Sequence, residues 1–322
     1  MIAFIINVLL VAVGLAMLYA GSELLIRGSV SIAKRMHISQ LVIGLTVVSF
    51  GTSTPELVVS INAAIVGQAD VSLGNIIGSN IVNIGLILGL SAAIFPIAVH
   101  IKTIRREIPI MLAVSLILIP MSLDGAISQI EGVLLVLSLI VFIYFSYSQS
   151  KKENNQTQMP VAIVNSNNNP AYILTKNVVF VVAGILLLYF GSSLTVDNAV
   201  HIANSMGISE RVIGLTVIAI GTSLPELITS VGAARQRHAD LSIGNIIGSN
   251  IFNILGILGI SSLISSIKVN PAIFTDYAVM IGFSIVLIPV MRSSFIITKK
   301  EGYALVIAYS LYLIFLLIMT WY

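Results

Sequence analysis

The sequence predicts an all-α membrane protein: ten transmembrane helices arranged as two inverted five-helix repeats. Three observations lead there. Of the 322 residues, 57% are apolar and 9% charged, whereas an average soluble domain is about 25% charged. The apolar residues gather into ten runs, each near the ~20 residues that cross a bilayer as a helix. The chain also repeats itself at a constant offset of 170 residues.

The first run, 2–26, has no positively charged start, and its first charge is Glu23. It therefore reads as a span and not as a cleaved signal. Runs 41–66, 71–95, 107–122 and 129–148 follow, each bounded by charges or turn residues. They are too long for strands and too continuous for surface helices. Residues 149–171 contain KKENNQTQ and NSNNNP. Such a polar, Asn-rich stretch offers nothing for a core, so a flexible linker is expected. Runs 172–198, 211–234, 241–265, 273–291 and 302–321 complete the set. The halves are then 1–148 and 172–322, joined by the linker.

Charge sets the orientation. Fourteen of the sixteen Lys and Arg residues fall in alternate connections, among them Arg27, Lys34, Arg105, Lys151, Arg235 and Lys299; only Arg211 and Lys268 lie in the others. Cytoplasmic loops carry the Lys/Arg excess. Both termini are expected outside a cell membrane, a prokaryotic plasma membrane, with the linker in the cytoplasm. A net charge of +3 gives no reason to expect nucleic acid. There is no cysteine, and the four histidines share no metal-ligand spacing. Disulfides, thiolate sites and soft-metal chemistry are thereby excluded. No enzymatic activity, no cofactor and no obligate protein partner are expected; the bilayer is the surrounding partner.

The repeat is unusually clear. VIGLTVVSFGTSTPEL at 42–57 matches VIGLTVIAIGTSLPEL at 212–227, and SLGNIIGSNIVNI at 72–84 matches SIGNIIGSNIFNI at 242–254. Over 41–94, 33 of 54 positions are identical to their partners. Five spans per copy is an odd number, so the second copy enters the membrane from the opposite side. Inverted repeats of this kind build secondary transporters whose site lies at the midplane between the halves. A symmetric scaffold alone would not demand that the best-matched positions be polar.

Those polar positions carry the chemistry. Glu56 and Glu226 lie within apolar runs, where a charge costs roughly 2.5–3.5 kcal/mol on insertion scales. No Lys or Arg stands near the middle of any span to pair with them. One residue earlier, Pro55 and Pro225 remove a backbone donor, which frees the carbonyls of Gly51 and Gly221 and disturbs those of Thr52 and Thr222. Free carbonyls at membrane depth are tolerated where they meet a cavity or a ligand. Ser49, Thr52, Ser53, Glu56 and Ser60 share one helical face; the second copy offers Thr222, Ser223, Glu226 and Ser230, with Ala219 in place of Ser49. In the next span, Ser79, Asn83, Ser249 and Asn253 point to ion contact. For Asn75, Asn80, Asn245 and Asn250 a helix-to-helix hydrogen bond fits at least as well, and Gly74, Gly78, Gly244 and Gly248 suit close helix packing. Two carboxylates among neutral oxygens suit a hard cation such as Ca²⁺, which takes six to eight oxygens. Two Na⁺ ions, or protons, would neutralise the same charge, and mutually exclusive neutralisation is the physical basis of exchange.

GTSxPE followed by GNIIGSNIxN, present twice in inverted halves, resembles the α-repeats of the Ca²⁺/cation antiporter superfamily, and most closely its prokaryotic sodium/calcium exchangers. The resemblance covers all ten spans. It implies Ca²⁺/Na⁺ antiport by alternating access, with spans 2, 3, 7 and 8 around the ions and spans 1 and 6 sliding across them. It implies Glu56 and Glu226 as shared carboxylates and the carbonyls of Thr52 and Thr222 as completing a Ca²⁺ site. Ser53, Ser79, Ser223 and Ser249, with the backbone of Ser49 and Ala219, would serve Na⁺, and Asn83 and Asn253 would point at the centre. Several relatives carry an acid at the position of Asn253; this chain is neutral at both 83 and 253. Ca²⁺/H⁺ exchange is the nearest alternative, since the same carboxylates can carry protons. A divalent-cation channel usually takes its carboxylate ring from oligomer symmetry, and an intramembrane hydrolase would need a triad or zinc motif that is absent.

Overall fold

The structure, a computed structural model, describes residues 2–156, 170–206 and 219–319. It is mostly helical. In chain order the helices are α1 Ile2–Met36, α2 Gln40–Thr52, α3 Thr54–Ile65, α4 Ala69–Ile94, α5 Ile108–Leu116, α6 Leu118–Met121, α7 Gln129–Gln156, α8 Pro170–Ser205, α9 Ala219–Thr222, α10 Leu224–Arg235, α11 Ala239–Ile264, α12 Ile273–Arg292 and α13 Lys299–Met319. Among the described residues, seven are long and apolar enough to cross a membrane, and the bent pair α2–α3 makes an eighth. The other two expected spans are 107–122, which is interrupted at Ile117 between α5 and α6, and 211–234, whose first eight residues lie outside the described set.

Three boundaries differ from expectation. The first helix runs to Met36, ten residues past the apolar run that announced it. Helix α7 continues to Gln156, well into the segment expected to be linker, and α8 already begins at Pro170. The extension of α1 is packed, not solvated: Ser29, Val30 and Ala33 are buried, and a Cβ on Gly28 would stand 2.8 Å from the Asn177 carbonyl oxygen of α8. The middle of the linker, 157–169, lies outside the described residues.

Helices α4 and α11 form the centre. Their most apolar windows are 83% and 89% buried, against 17–33% for the other spanning helices. A helix that is apolar on every side, with a few amides, belongs in a core. Against them pack α2, α3, α10 and α12, burying Ile76, Ile81, Ile246, Ile251, Tyr277 and Met280. Gly248 lets α2 approach closely: a Cβ there would stand 2.6 Å from the Cα of Leu45. The first-half equivalents, Gly74 and Gly78, meet no described atom at that range, and their counterpart segment 211–218 is outside the described residues.

Helices α1 and α8 lie along each other and touch through backbone. A Cβ on Gly21 would fall 2.9 Å from the Gly184 carbonyl oxygen, and one on Gly184 2.8 Å from that of Gly21. Small residues at matched places allow this in a membrane, where dispersion between close backbones drives association. Two short antiparallel ribbons tie the halves together. Strand β1 (Ile97–Ala98) pairs with β4 (Ile296–Ile297), and β2 (Ala126–Ile127) pairs with β3 (Ile267–Lys268). Each ribbon takes one strand from each half, and an offset of 170 converts one ribbon into the other.

Candidate functional site

Each half presents its carboxylate at a helix break. Ser53 (φ −81°, ψ 13°) and Ser223 (φ −88°, ψ 9°) leave helical geometry in the same way, and α3 sets off at 51° to α2. Proline, the second residue of the new helix in both copies, explains the restart: it has no N–H to give but fits a first turn. Glu56 and Glu226 therefore sit in the first turns of α3 and α10. A helix N-terminus favours an anion there, which offsets part of the cost of burying it.

The two breaks meet across the molecule. The Ser223 hydroxyl donates to Glu56 Oε1 at 2.9 Å, and the Ser53 hydroxyl donates to Glu226 Oε1 at 2.7 Å. Each carboxylate is thus held by the serine of the other half, and the two interact electrostatically. Both glutamates and both serines are 0–1% exposed. Among the described residues, neither glutamate has a basic partner, and Oε2 of each has no hydrogen bond. No three of His, Cys, Asp and Glu converge among the described residues, so the centre is two carboxylates among neutral oxygens.

The remaining expected residues divide into three groups. Ser249 reaches Glu226 Oε1 at 3.4 Å, whereas its counterpart Ser79, also buried, makes no hydrogen bond to Glu56. Asn83 and Asn253 are 1% exposed, open π-helical turns, and keep their side-chain oxygens unpartnered. Such turns widen a helix by one residue and are frequent at functional sites. Thr52 and Thr222 are buried directly before the breaks; the Thr52 hydroxyl donates to Asn245 Oδ1 at 3.0 Å. Ser49 is expected to act through its backbone. Its hydroxyl donates to the Leu45 carbonyl at 2.9 Å within its own helix. Ala219 starts the short helix α9.

Sequence spacing missed several neighbours. The Gly221 carbonyl, freed by Pro225 as expected, accepts the Ser192 hydroxyl at 2.9 Å. Asn75, Asn80, Asn245 and Asn250 all make the cross-helix hydrogen bonds expected of them, though spacing did not name their partners. Nothing local marks Ser192, because its partner is 29 residues away on another helix.

A cavity of about 530 Å³ beside α8 is lined by Pro55, Tyr189, Asp197, His201 and Thr222 among others, and so reaches the residue next to Glu56. On the opposite face α1 packs against α10. There Ser22 donates to the Ile228 carbonyl at 3.3 Å, and Gln236 donates to Glu23, which also pairs with Arg27. Glu23 thus links α1 to the residue after α10 on this face.

The chain is similar to several known proteins. The family described as sodium/calcium exchanger protein matches residues 6–148 and 176–318. Inner membrane protein YrbG of Escherichia coli (strain K12) is 37% identical over 86% of each chain. Sodium/calcium exchanger MaX1 of Methanosarcina acetivorans is 31% identical, covering 97% of this chain and 98% of its own. A solved structure of the sodium-calcium exchanger NCX_Mj, soaked with 2.5 mM Na⁺ and 0.1 mM Ca²⁺, superposes with a TM-score of 0.82 at 34% identity, over 95% of this chain and 97% of that one. MaX1 and NCX_Mj are described as sodium/calcium exchangers, transporters and not enzymes.

Proposed function

The chain belongs to the sodium/calcium exchanger protein family, and from that premise we propose that it exchanges Ca²⁺ for Na⁺ across a membrane by alternating access. The observation that carries the proposal is the pair Glu56 and Glu226: buried, close, unneutralised, and contributed one by each half. An empty site of charge −2 cannot readily cross a low-dielectric barrier. One Ca²⁺ neutralises it, and two Na⁺ do so as well, which couples the two fluxes. In this reading the carboxylates and the carbonyls of Thr52 and Thr222 hold Ca²⁺. The hydroxyls of Ser53, Ser223, Ser79 and Ser249, with the backbone of Ser49 and Ala219, hold Na⁺, and the oxygens of Asn83 and Asn253 face the centre.

The ten-span, inverted topology is part of the same proposal. The reciprocal serine bonds and the exchanged ribbons support it, because an offset of 170 maps each contact onto its partner. With the Lys/Arg-rich face inside, the cavity past Asp197 and His201 opens outward, and the contact of Glu23 with Gln236 is the inner closure. Movement of α1 and α8 together would exchange the two.

The test is ⁴⁵Ca uptake into proteoliposomes. Uptake is expected when Na⁺ is loaded inside and diluted outside, with the proton gradient collapsed by an ionophore. Uptake that ignores Na⁺ and follows an imposed pH gradient would replace this proposal with Ca²⁺/H⁺ exchange.

A further inference from the structure

Asn83 and Asn253 place a neutral amide where a cation is to sit. An amide has one end that attracts a cation and one that repels it, and only its neighbours decide which end faces inward. The neighbours form two matching chains. Asn83 Nδ2 donates to Asn250 Oδ1 at 3.0 Å, and Asn250 Nδ2 in turn faces the sulfur of Met111 at 3.5 Å. In the other half, Asn253 Nδ2 donates to Asn80 Oδ1 at 3.0 Å, and Asn80 Nδ2 faces the sulfur of Met280 at 3.6 Å and the Asn250 carbonyl at 3.2 Å. Asn80, Asn250, Met111 and Met280 are all 0–1% exposed.

A thioether and a carbonyl accept but never donate. They fix the NH₂ end of Asn250 and Asn80 outward, so an oxygen is offered to Asn83 and Asn253. That oxygen captures their NH₂ groups and leaves their own oxygens directed away from the donors. Both oxygens are buried without a partner, as are Oε2 of Glu56 and of Glu226. Unpartnered buried acceptors are costly unless a ligand meets them.

We propose that Asn250 and Asn80 are positioning residues that lock the amides of Asn83 and Asn253 oxygen-first toward the transported cation. The polarity is set from Met111 and Met280 and passed inward through one amide on each side. The inference rests on the ion site proposed above and adds to it a determinant of cation affinity that does not itself touch the ion.

The experiment compares Asn250→Leu in two backgrounds, measuring the Ca²⁺ concentration for half-maximal Na⁺-driven ⁴⁵Ca flux. In the otherwise native chain, Asn83 loses its guide, and the half-maximal concentration is expected to rise by roughly 10–100-fold, the range seen when a group orienting a metal ligand is removed. In an Asn83→Asp background the carboxylate offers oxygen at either end, so adding Asn250→Leu is expected to change nothing. Asn250→Asp, which retains an acceptor for Asn83, is expected to recover affinity relative to Asn250→Leu. An equal loss in both backgrounds would show a merely structural role and overturn the proposal, as would no loss in the native background. Should Asn250→Leu not accumulate as folded protein, Asn80→Leu with and without Asn253→Asp gives the same comparison. Glu56→Gln is the control: if it retains full flux, the ion site itself is wrong, whereas loss there with none in Asn250→Leu overturns the positioning role alone.

Discussion

Ser53 and Ser223 hold the carboxylates of the opposite halves, and the consequences are felt residue by residue. Removing the hydroxyl in Ser53→Ala deletes a 2.7 Å donor to Glu226. That hydroxyl oxygen is also one assigned to Na⁺, so the Na⁺ concentration giving half-maximal ⁴⁵Ca flux is expected to rise roughly 10-fold, and an unchanged Na⁺ dependence would remove Ser53 from the site. Glu56→Gln and Glu226→Gln should cost more than the ~10–100-fold typical of groups behind the ligands, and each alone should stop Na⁺-driven uptake; retention of uptake by either would remove that carboxylate from the site. The acids and serines were legible in the sequence because charge in an apolar run is conspicuous at any distance. The local bond of the Ser49 hydroxyl was not. Its hydroxyl lies on the expected face, yet the local carbonyl of Leu45 competes for it, a preference common to serine within helices. Cross-helix bonds of Asn80 and Asn250 were expected, but their partners, like that of Ser192, lie far apart in sequence, where no spacing rule reaches.

At the scale of helices, α1 and α10 meet at a small residue. A Cβ on Gly232 would stand 3.0 Å from Ser22 Oγ and 3.2 Å from Ile26 Cδ1. Gly232→Val should therefore wedge α1 away from α10 and shift the protein toward opening on that face. The chain has no cysteine, so Val200→Cys in the outer cavity gives a clean readout: Gly232→Val should lower its labelling by an impermeant thiol reagent from outside, and unchanged labelling would contradict the wedge. The turn before α11 supplies a pH dependence. Burial, and then the nearby Lys34 ammonium, hold the His238 imidazole below its ordinary pKa, while its Nδ1 meets Gln40 Oε1 at 3.0 Å. The folded protein thus takes up its proton at lower pH than the unfolded chain. Stability from this group is complete above the unfolded value of about 6.5 and falls on acidification. Thermal unfolding of the wild type between pH 7.5 and 5.5 should show a larger acid loss than His238→Gln, and equal losses would refute the assignment. Helix positions were readable from apolar runs, but their ends were not: α1, α7 and α8 continue through polar residues that hydropathy cannot separate from loops. The two-residue strands left no trace, since two residues have no period.

The whole molecule is organised by exchange between halves: serine to opposing carboxylate, asparagine to opposing asparagine, strand to opposing strand. Duplication was plain from 33 matched positions in 54; which contacts cross between copies was not, because identical sequences can pair within or between halves. The proposed orientation has a direct check. Leu123→Cys, on the connection after α6, should react with an impermeant thiol reagent added to intact cells. Ser294→Cys, beside β4, should react only after permeabilisation. The reverse pattern would invert the protein in the membrane.

Helices α1 and α8, joined backbone to backbone through Gly21 and Gly184, behave under the proposed cycle as a single beam laid across a fulcrum. Tipping it shut at one end lifts it at the other, so both doors answer to the same piece of timber. Under that proposal no posture of the seesaw leaves a continuous corridor through which the sodium gradient could short-circuit.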